Sequence, residues 1–251
     1  MSLHRLLLRF FGIAAPAGAS AALSEGEMAH PLARFYEQKH IPARAVLNSL
    51  NAIPAAQTIS VADFAEAAVQ ADLLPNGYHR FPDGTGYIHA FAAQDGLTGE
   101  MLAWLLPWLC EGRAVRCKLT YPGFHIHAER IADKDENNFC NMRCTLSIGA
   151  DLDGAPVAPV RLGFRFFRPE LYEKGGVFPG IIKAGPFTAG CFTFVLTPHA
   201  LHVFVWLGHG VSPLLRGYTS EKKLYDAARH CAHLTAHLAG VLPELYAYCN
   251  A

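Results

Sequence analysis

The pattern of hydrophobic and polar positions predicts helices early in the chain, strands in the middle and one long helix at the end. Residues 25–56 have the pattern of short helices and turns, including a helix over residues 41–53. A second helix is predicted over residues 61–74, because Ser60 can cap its start and Pro75-Asn76-Gly77 can end it.

A hairpin and a further helix are predicted next. Pro82-Asp83-Gly84 is a turn signal between two predicted strands, residues 78–81 and 86–91. Thr98 can cap a helix that runs to about residue 111. One side of this helix carries the apolar stripe Met101, Trp104, Leu105, Trp108 and Leu109, which we interpret as core packing.

From Val115 onward the period switches to two, which predicts strands. The clearest case is residues 140–148, where apolar positions alternate with polar ones and Thr145 and Ser147 are expected on the wet face. The same pattern recurs over residues 160–167, 190–196 and 201–207.

The last predicted element is a long helix over about residues 221–246, which Pro243 is expected to kink or to end early. Strands joined by short turns pair antiparallel. The sequence therefore predicts an α+β fold, with a curved antiparallel sheet packed against the final helix and a ligand site in the hollow between them.

Composition narrows the class of protein. The chain has 251 residues, 51% of them hydrophobic, and Lys+Arg and Asp+Glu both total 21. This balance gives no electrostatic footprint for nucleic acid or for an anionic membrane, and no apolar run is long enough for a transmembrane helix. We expect one domain over residues 25–251, preceded by an N-terminal arm or targeting segment over residues 1–24.

The seven cysteines form no CxxC pair, which is typical of buried thiols in a reducing compartment, so we expect a cytoplasmic protein. No P-loop, GxSxG, GxGxxG or HExxH pattern occurs.

Two groups of histidines are candidates for a metal site. His125 and His127 stand two apart in a predicted strand, so their side chains are expected to share a face, and imidazole suits Zn, Fe or Cu. The alternative interpretation is that the two histidines share a face by chance and bind no metal.

The final helix holds His230, His233 and His237. Its helical period places Leu224, Ala228, Cys231, Leu238, Leu242 and Leu245 on the buried stripe. His230 is then the better inward candidate, His237 lies on a flank, Leu234 falls inside, and His233 is expected to face solvent.

Several motifs, in one consistent order, resemble the diacetylphloroglucinol hydrolase and phloretin hydrolase family. Residues 76–87 read NGYHRFPDGTGY and are similar to the family's hairpin. The following helix keeps the family's pattern T-x-EM-x-x-W-x-x-x-W at Thr98, Glu100, Met101, Trp104 and Trp108. Residues 116–125 (RCKLTYPGFH) resemble RYK-x-W-x-P-x-x-H, residues 206–208 (WLG) resemble FWLG, and residues 230–246 are similar to HC…LA…LPELY. The likeness covers about residues 57–247.

The resemblance implies a helix-grip fold and a zinc-dependent hydrolase that cleaves the carbon–carbon bond between an acyl group and a phenolic ring. Zinc would polarise the acyl carbonyl or activate water. By motif position the zinc ligands include His125 and His230. Leu234 stands where the family has a ligand glutamate, Cys117 stands where it has a substrate-contacting tyrosine, and Asp151 is the acid nearest to its middle-strand glutamate.

Three alternatives stay open. The zinc site is rebuilt from His125, His127, His230 and either His237 or Asp151, with Tyr121 and His127 as candidate catalytic groups. Alternatively, the pocket has lost its metal and binds a small aromatic or phenolic molecule without catalysis. In the third alternative, His125 and His230 are hydrogen-bonded core residues. An interaction role for the N-terminal arm and a homo-oligomeric state are also left open.

Overall fold

The computed structural model describes residues 13–111, 114–132, 138–148, 159–168, 176–209 and 220–251. Within these ranges one sheet of nine strands has the order β1-β2-β3-β9-β8-β7-β6-β5-β4. The strands are β1 (Asn51–Ala52), β2 (Gly77–Arg80), β3 (Gly86–Ala93), β4 (His125–Arg130), β5 (Asn138–Leu146), β6 (Val160–Phe167), β7 (Val177–Ala184), β8 (Phe187–Leu196) and β9 (Ala200–Leu207). Every neighbouring pair is antiparallel except β1 and β2. The predicted α+β class is confirmed.

The described α-helices are mostly short, apart from α5 and α7. They are α1 (Glu25–Met28), α2 (Ala33–Glu37), α3 (Arg44–Ser49), α4 (Ala67–Gln70), α5 (Gly99–Cys110), α6 (Ala114–Thr120) and α7 (Glu221–Asn250). Among the described residues no helix is both long and apolar enough to cross a membrane.

Two early helices differ from the sequence prediction. The helix predicted over residues 41–53 is only α3, because Asn51–Ala52 extends and pairs with β2. The helix predicted over residues 61–74 is α4 flanked by 3-10 turns, and Asp63 departs from helical geometry within it. Ser60 does cap this segment, since its side chain accepts a hydrogen bond from the Ala62 N–H.

The strand pattern predicted from Val115 onward is wrong at its start. Residues 114–120 form helix α6, in which the four consecutive side chains from Cys117 to Thr120 are buried, so alternation is no guide there. Strand β7 was not predicted, and it contains Pro179-Gly180, which are residues that strands usually avoid. Pro243 does not end the final helix, which continues to Asn250.

The hairpin, the Thr98 cap of α5 and the strand over residues 140–148 are confirmed in outline. The expected wet face of β5 is wrong at its end, since Thr145 and Ser147 are buried. Thr145 lies directly between His127 of β4 and Arg161 of β6, and such long cross-strand neighbours cover a small side chain.

The sheet packs on both faces. Its inner face lies against α5, α6 and α7. Its outer face is covered at β3, β8 and β9 by residues 53–74, where the Trp206 ring N–H donates to the Ile59 carbonyl at 2.7 Å. On the same face His89 and His202 are buried and hydrogen-bonded to each other at 3.1 Å, and His202 reaches Asp72 at 3.0 Å. These bonds fix the covering segment to β3 and β9.

A buried ion pair attaches the N-terminal segment to α6. Lys118 Nζ lies 2.8 Å from Glu27 Oε2 and donates to the Ala22 carbonyl at 2.7 Å. Burial alone would raise the pKa of Glu27, but hydrogen bonds from Lys118 and from Ser24 lower it below its usual range. Glu27 is therefore ionised at neutral pH and balances the buried ammonium.

We expect Glu27→Gln to lower the free energy of unfolding by about 3 kcal/mol, because it leaves the Lys118 charge buried without a counter-charge. Urea denaturation at pH 7 measures the change. Glu25→Gln, on an exposed neighbour in the same helix, is the matched control and should change stability by less than about 0.5 kcal/mol. Equal effects of the two substitutions would contradict this account.

Candidate functional site

A cavity of about 250 Å³ lies between the inner face of the sheet and helices α5, α6 and α7. The side chains that line it come from seven strands and these three helices. They include Ile88, Leu105, Leu106, Leu109, Ala128, Met142, Cys144, Leu146, Leu162, Phe164, Phe166, Ile182, Ala189, Phe192, Phe194, Val203, Val205, Leu207, Ala227, Leu234 and Leu238. The cavity lies between sheet and helix, where the sequence predicts a ligand site.

The polar side chains that line the cavity lie together. Among the described lining residues only Thr120, His125 and His230 carry side-chain nitrogen or oxygen atoms. His125 begins β4, His230 lies on α7, and their ring centroids are 5.6 Å apart. The fold therefore brings together the two histidines that the sequence singled out.

The hydrogen bonds of Thr120 fix the tautomer of His125. The Thr120 hydroxyl donates its single proton to the Cys117 carbonyl at 2.7 Å. It must therefore accept, at 2.8 Å, from the Nδ1–H of His125. Burial, and to a smaller extent the neighbouring His237, lower the pKa of His125 to about 4. At neutral pH the ring is uncharged and Nε2 carries the lone pair, so this nitrogen can accept a proton or bind a metal.

The phase of α7 directs His230 and Leu234, one turn apart, into the cavity, as the period predicted. The pKa of His230 lies well below its usual range, chiefly because of burial and then because of His125 and His233. Its Nδ1 atom is buried, and no described residue hydrogen-bonds it. His230 is thus a neutral imidazole among mostly apolar side chains, and its Nδ1 atom has no hydrogen-bond partner among the described residues.

An aromatic stack supports the histidine pair. The Tyr121 ring lies 4.3 Å from that of Phe124 and 4.8 Å from that of His230, measured between centroids. His233 was expected to face solvent, but it is only 8% exposed and stacks on Tyr121. The prediction was wrong because the connection between α6 and β4 covers that flank of α7.

The other predicted site residues lie elsewhere or outside the described ranges. His127 does not line the cavity, because the register between β4 and β5 shifts between His125 and His127, and Ala128 lines the cavity instead. His237 is fully buried, with Nε2 on the Leu119 carbonyl and Nδ1 accepting from the His40 N–H. Asp151 lies outside the described residues.

The contacts of His237 require a neutral ring and predict an acid-sensitive fold. Burial lowers its pKa to about 4, although the bond to Leu119 acts the other way. Between this value and the ordinary 6.5 the unfolded chain binds more protons, so stability is complete above pH 6.5 and falls as the pH drops through this window.

We expect His237→Gln, which keeps a donor for Leu119 but does not titrate, to reduce this slope by up to about 1.4 kcal/mol per pH unit. Urea denaturation at several pH values between 7 and 4.5 measures it. His199→Gln, at an exposed histidine, should leave the slope unchanged. An unaltered slope in His237→Gln would show that this ring does not titrate as described.

The described residues do not by themselves complete a catalytic zinc site. Two imidazoles on one tetrahedral zinc have ring centres about 5 Å apart, which the separation of 5.6 Å between His125 and His230 approaches. However, such a site takes three protein ligands, and the described residues contain no group of three histidines, cysteines or acids suited to a metal. Leu234 occupies the position one turn after His230.

Comparison with models of known protein families supports the resemblance that the sequence motifs indicate. The model of the DAPG hydrolase PhiG domain matches residues 61–148, which run from the covering layer to the end of β5 and include Thr120, Tyr121 and His125. A search of curated proteins found no match. The match confirms the resemblance to the DAPG hydrolase family and points to a hydrolase.

Sequence reasoning missed two parts of the site. Thr120 determines the tautomer of His125, yet a threonine five residues before a histidine is no signal by itself. The phenylalanines of β6 and β8 were seen only as strand residues, since their convergence on one cavity depends on the strand order.

Proposed function

We propose that the chain is a hydrolase that cleaves the carbon–carbon bond between an acyl group and a phenolic ring. The observation that carries the proposal is the buried pair of neutral histidines at one end of an otherwise apolar cavity. The family match supports the hydrolase class. The packing of the sheet against α7 also supports a helix-grip arrangement, which we propose as the fold type.

The reaction consumes one water. His125 Nε2 takes a proton as the water oxygen attacks the acyl carbonyl carbon. Before cleavage, the ring carbon that bears the acyl group takes up a proton while one phenolic hydroxyl gives up its own. When the bond between this carbon and the acyl carbon then breaks, its electron pair passes into the ring and forms a phenolate. The phenolate takes the proton from His125, and a carboxylic acid and a phenol leave. In this proposal His230 donates to the carbonyl oxygen or positions the water, and the low polarity of the cavity strengthens each such interaction.

Activity on an acylphloroglucinol tests the proposal. We expect His125→Ala and His230→Ala each to lower kcat/KM at least about 100-fold, the usual contribution of a general acid or base. Release of the carboxylic acid is measured at pH 7. His199→Ala, at an exposed histidine remote from the cavity, is the control and should retain full activity. Unchanged turnover in both cavity variants would rule out this mechanism.

The zinc centre implied by the family stays a prediction, and it is the alternative to the general-base role given above. A His125 Nε2 that binds zinc cannot also take the proton, so in this alternative His125 and His230 are two of the zinc ligands. Metal analysis of the purified chain tests it: we expect stoichiometric zinc that both cavity variants lose and that His199→Ala retains. A chain that is folded and active without metal would contradict it.

A second candidate is a non-catalytic binder of the same ligands. Leu234 and Cys117 favour it, since both line the cavity where the resembling hydrolases have functional glutamate and tyrosine side chains. Saturable binding of acylphloroglucinols with no acid release in the wild-type chain would establish the binder and exclude the hydrolase.

A further inference from the structure

The polar groups of the cavity all lie at one end. Thr120 ends α6, His125 begins β4 at one edge of the sheet, and His230 faces them from α7. Among the described lining residues there is no carboxylate, no amide, and no hydroxyl besides that of Thr120. A ligand that places several hydroxyls in the apolar part would lose their bonds to water without replacement, at a cost of about 1–3 kcal/mol each.

The apolar part of the cavity is bounded by strands from most of the sheet. Its walls continue from β4 across β5, β6 and β7 to β8 and β9. A dry cavity of ~150 Å³ holds a benzene ring. The larger volume here, about 250 Å³, leaves space for a chain of several carbons beyond one ring.

Four phenylalanines form the wall far from the histidines: Phe164 and Phe166 on β6, and Phe192 and Phe194 on β8. The Phe192 ring meets the others edge-on, with centroid distances of 5.9, 4.8 and 6.0 Å to Phe164, Phe166 and Phe194. Gly180 on the intervening strand permits this packing, because a Cβ there would lie 2.5 Å from the Phe192 ring. The wall is therefore well packed and apolar.

We propose that the acyl group of the ligand is an apolar chain of several carbons that lies against β5 to β9, while the phenolic ring and carbonyl stay near Thr120, His125 and His230. The inference rests on the proposed function for the position of the carbonyl. The chain itself is selected by the apolar walls alone. A ring with an acyl group of only two carbons would leave part of the cavity unfilled.

Binding of 4-alkylresorcinols tests the inference without turnover, since these phenols lack the acyl carbonyl. Calorimetry with the full chain compares chains from ethyl to octyl. Each added methylene should lower the Kd about fourfold until the cavity is full, because burying one CH₂ contributes about 0.8 kcal/mol. A Kd that is independent of chain length, or is lowest for ethyl, would overturn the inference.

A cavity-filling variant locates the chain. Val205→Phe on β9 should weaken octylresorcinol binding at least about tenfold and leave ethylresorcinol within about twofold, because it fills only the apolar end. Leu162→Phe on β6 is a second variant in case the first does not fold. Leu73→Phe, at a residue that is 83% exposed, is the matched control with no expected change. Equal loss of both ligands in Val205→Phe and Leu162→Phe would contradict the placement.

The outcomes separate this inference from the proposed function. Affinity that rises with chain length, with no hydrolysis of any acylphloroglucinol, supports the ligand class and refutes the hydrolase. Hydrolysis with no dependence on chain length in binding or in kcat/KM supports the hydrolase and refutes the ligand class. Absence of binding by every alkylresorcinol also overturns the inference.

Discussion

The packing of α7 on the inner face of the sheet is the interaction on which the rest of the structure depends. The helix contacts β2, β3 and β9, and its fully buried Leu224, Leu242 and Leu245 belong to the main core. Because α7 lies on this side of the sheet, the inner face of β4 to β8 has to be closed partly by α5 and α6. The space that these helices do not fill is the cavity.

The packing of α7 also determines which of its side chains face the cavity. A helix has a fixed period, so once the leucines of α7 are buried, His230 and Leu234 must face the cavity. On the opposite wall the hydrogen bond that the His125 Nδ1–H donates to Thr120 holds His125 in one tautomer. Burial keeps both rings uncharged at neutral pH, which is the state required of a proton acceptor or a metal ligand. The absence of any acid among the described lining residues distinguishes this cavity from the zinc sites that the family resemblance implies.

Much of the fold and part of the candidate site could be predicted from the sequence, because they depend on the spacing of hydrophobic and polar residues within one element. The hairpin turn, the Thr98 cap, most strands of the sheet and the inward phase of His230 follow from spacing along the chain. The predictions that were wrong concern residues whose burial is decided by packing between elements. Helix α6 buries Lys118 and Thr120 together with its apolar side chains, so polar and apolar residues alternate along it as in a strand and do not show the helical period. His233 is covered by Tyr121, a residue more than a hundred positions away, and no local pattern encodes that contact.

Packing and strand register also explain which features of the candidate site could not be predicted from the sequence. The motif resemblance and the helical period both lead to His125 and His230, but neither reveals that His127 is displaced by the register shift at the start of β4. Similarly, the sequence offers His237 as a possible zinc ligand, whereas His237 uses both nitrogens on the backbone.

A crystal structure of the chain with a long-chain acylphenol in the His230→Ala variant would test the central claim most directly. We predict density inside the cavity, with the ring and carbonyl beside Thr120 and His125 and the acyl chain along the inner face toward Phe192. A ligand bound outside the cavity, or with its ring against Phe192 and its chain beside His125, would contradict the account.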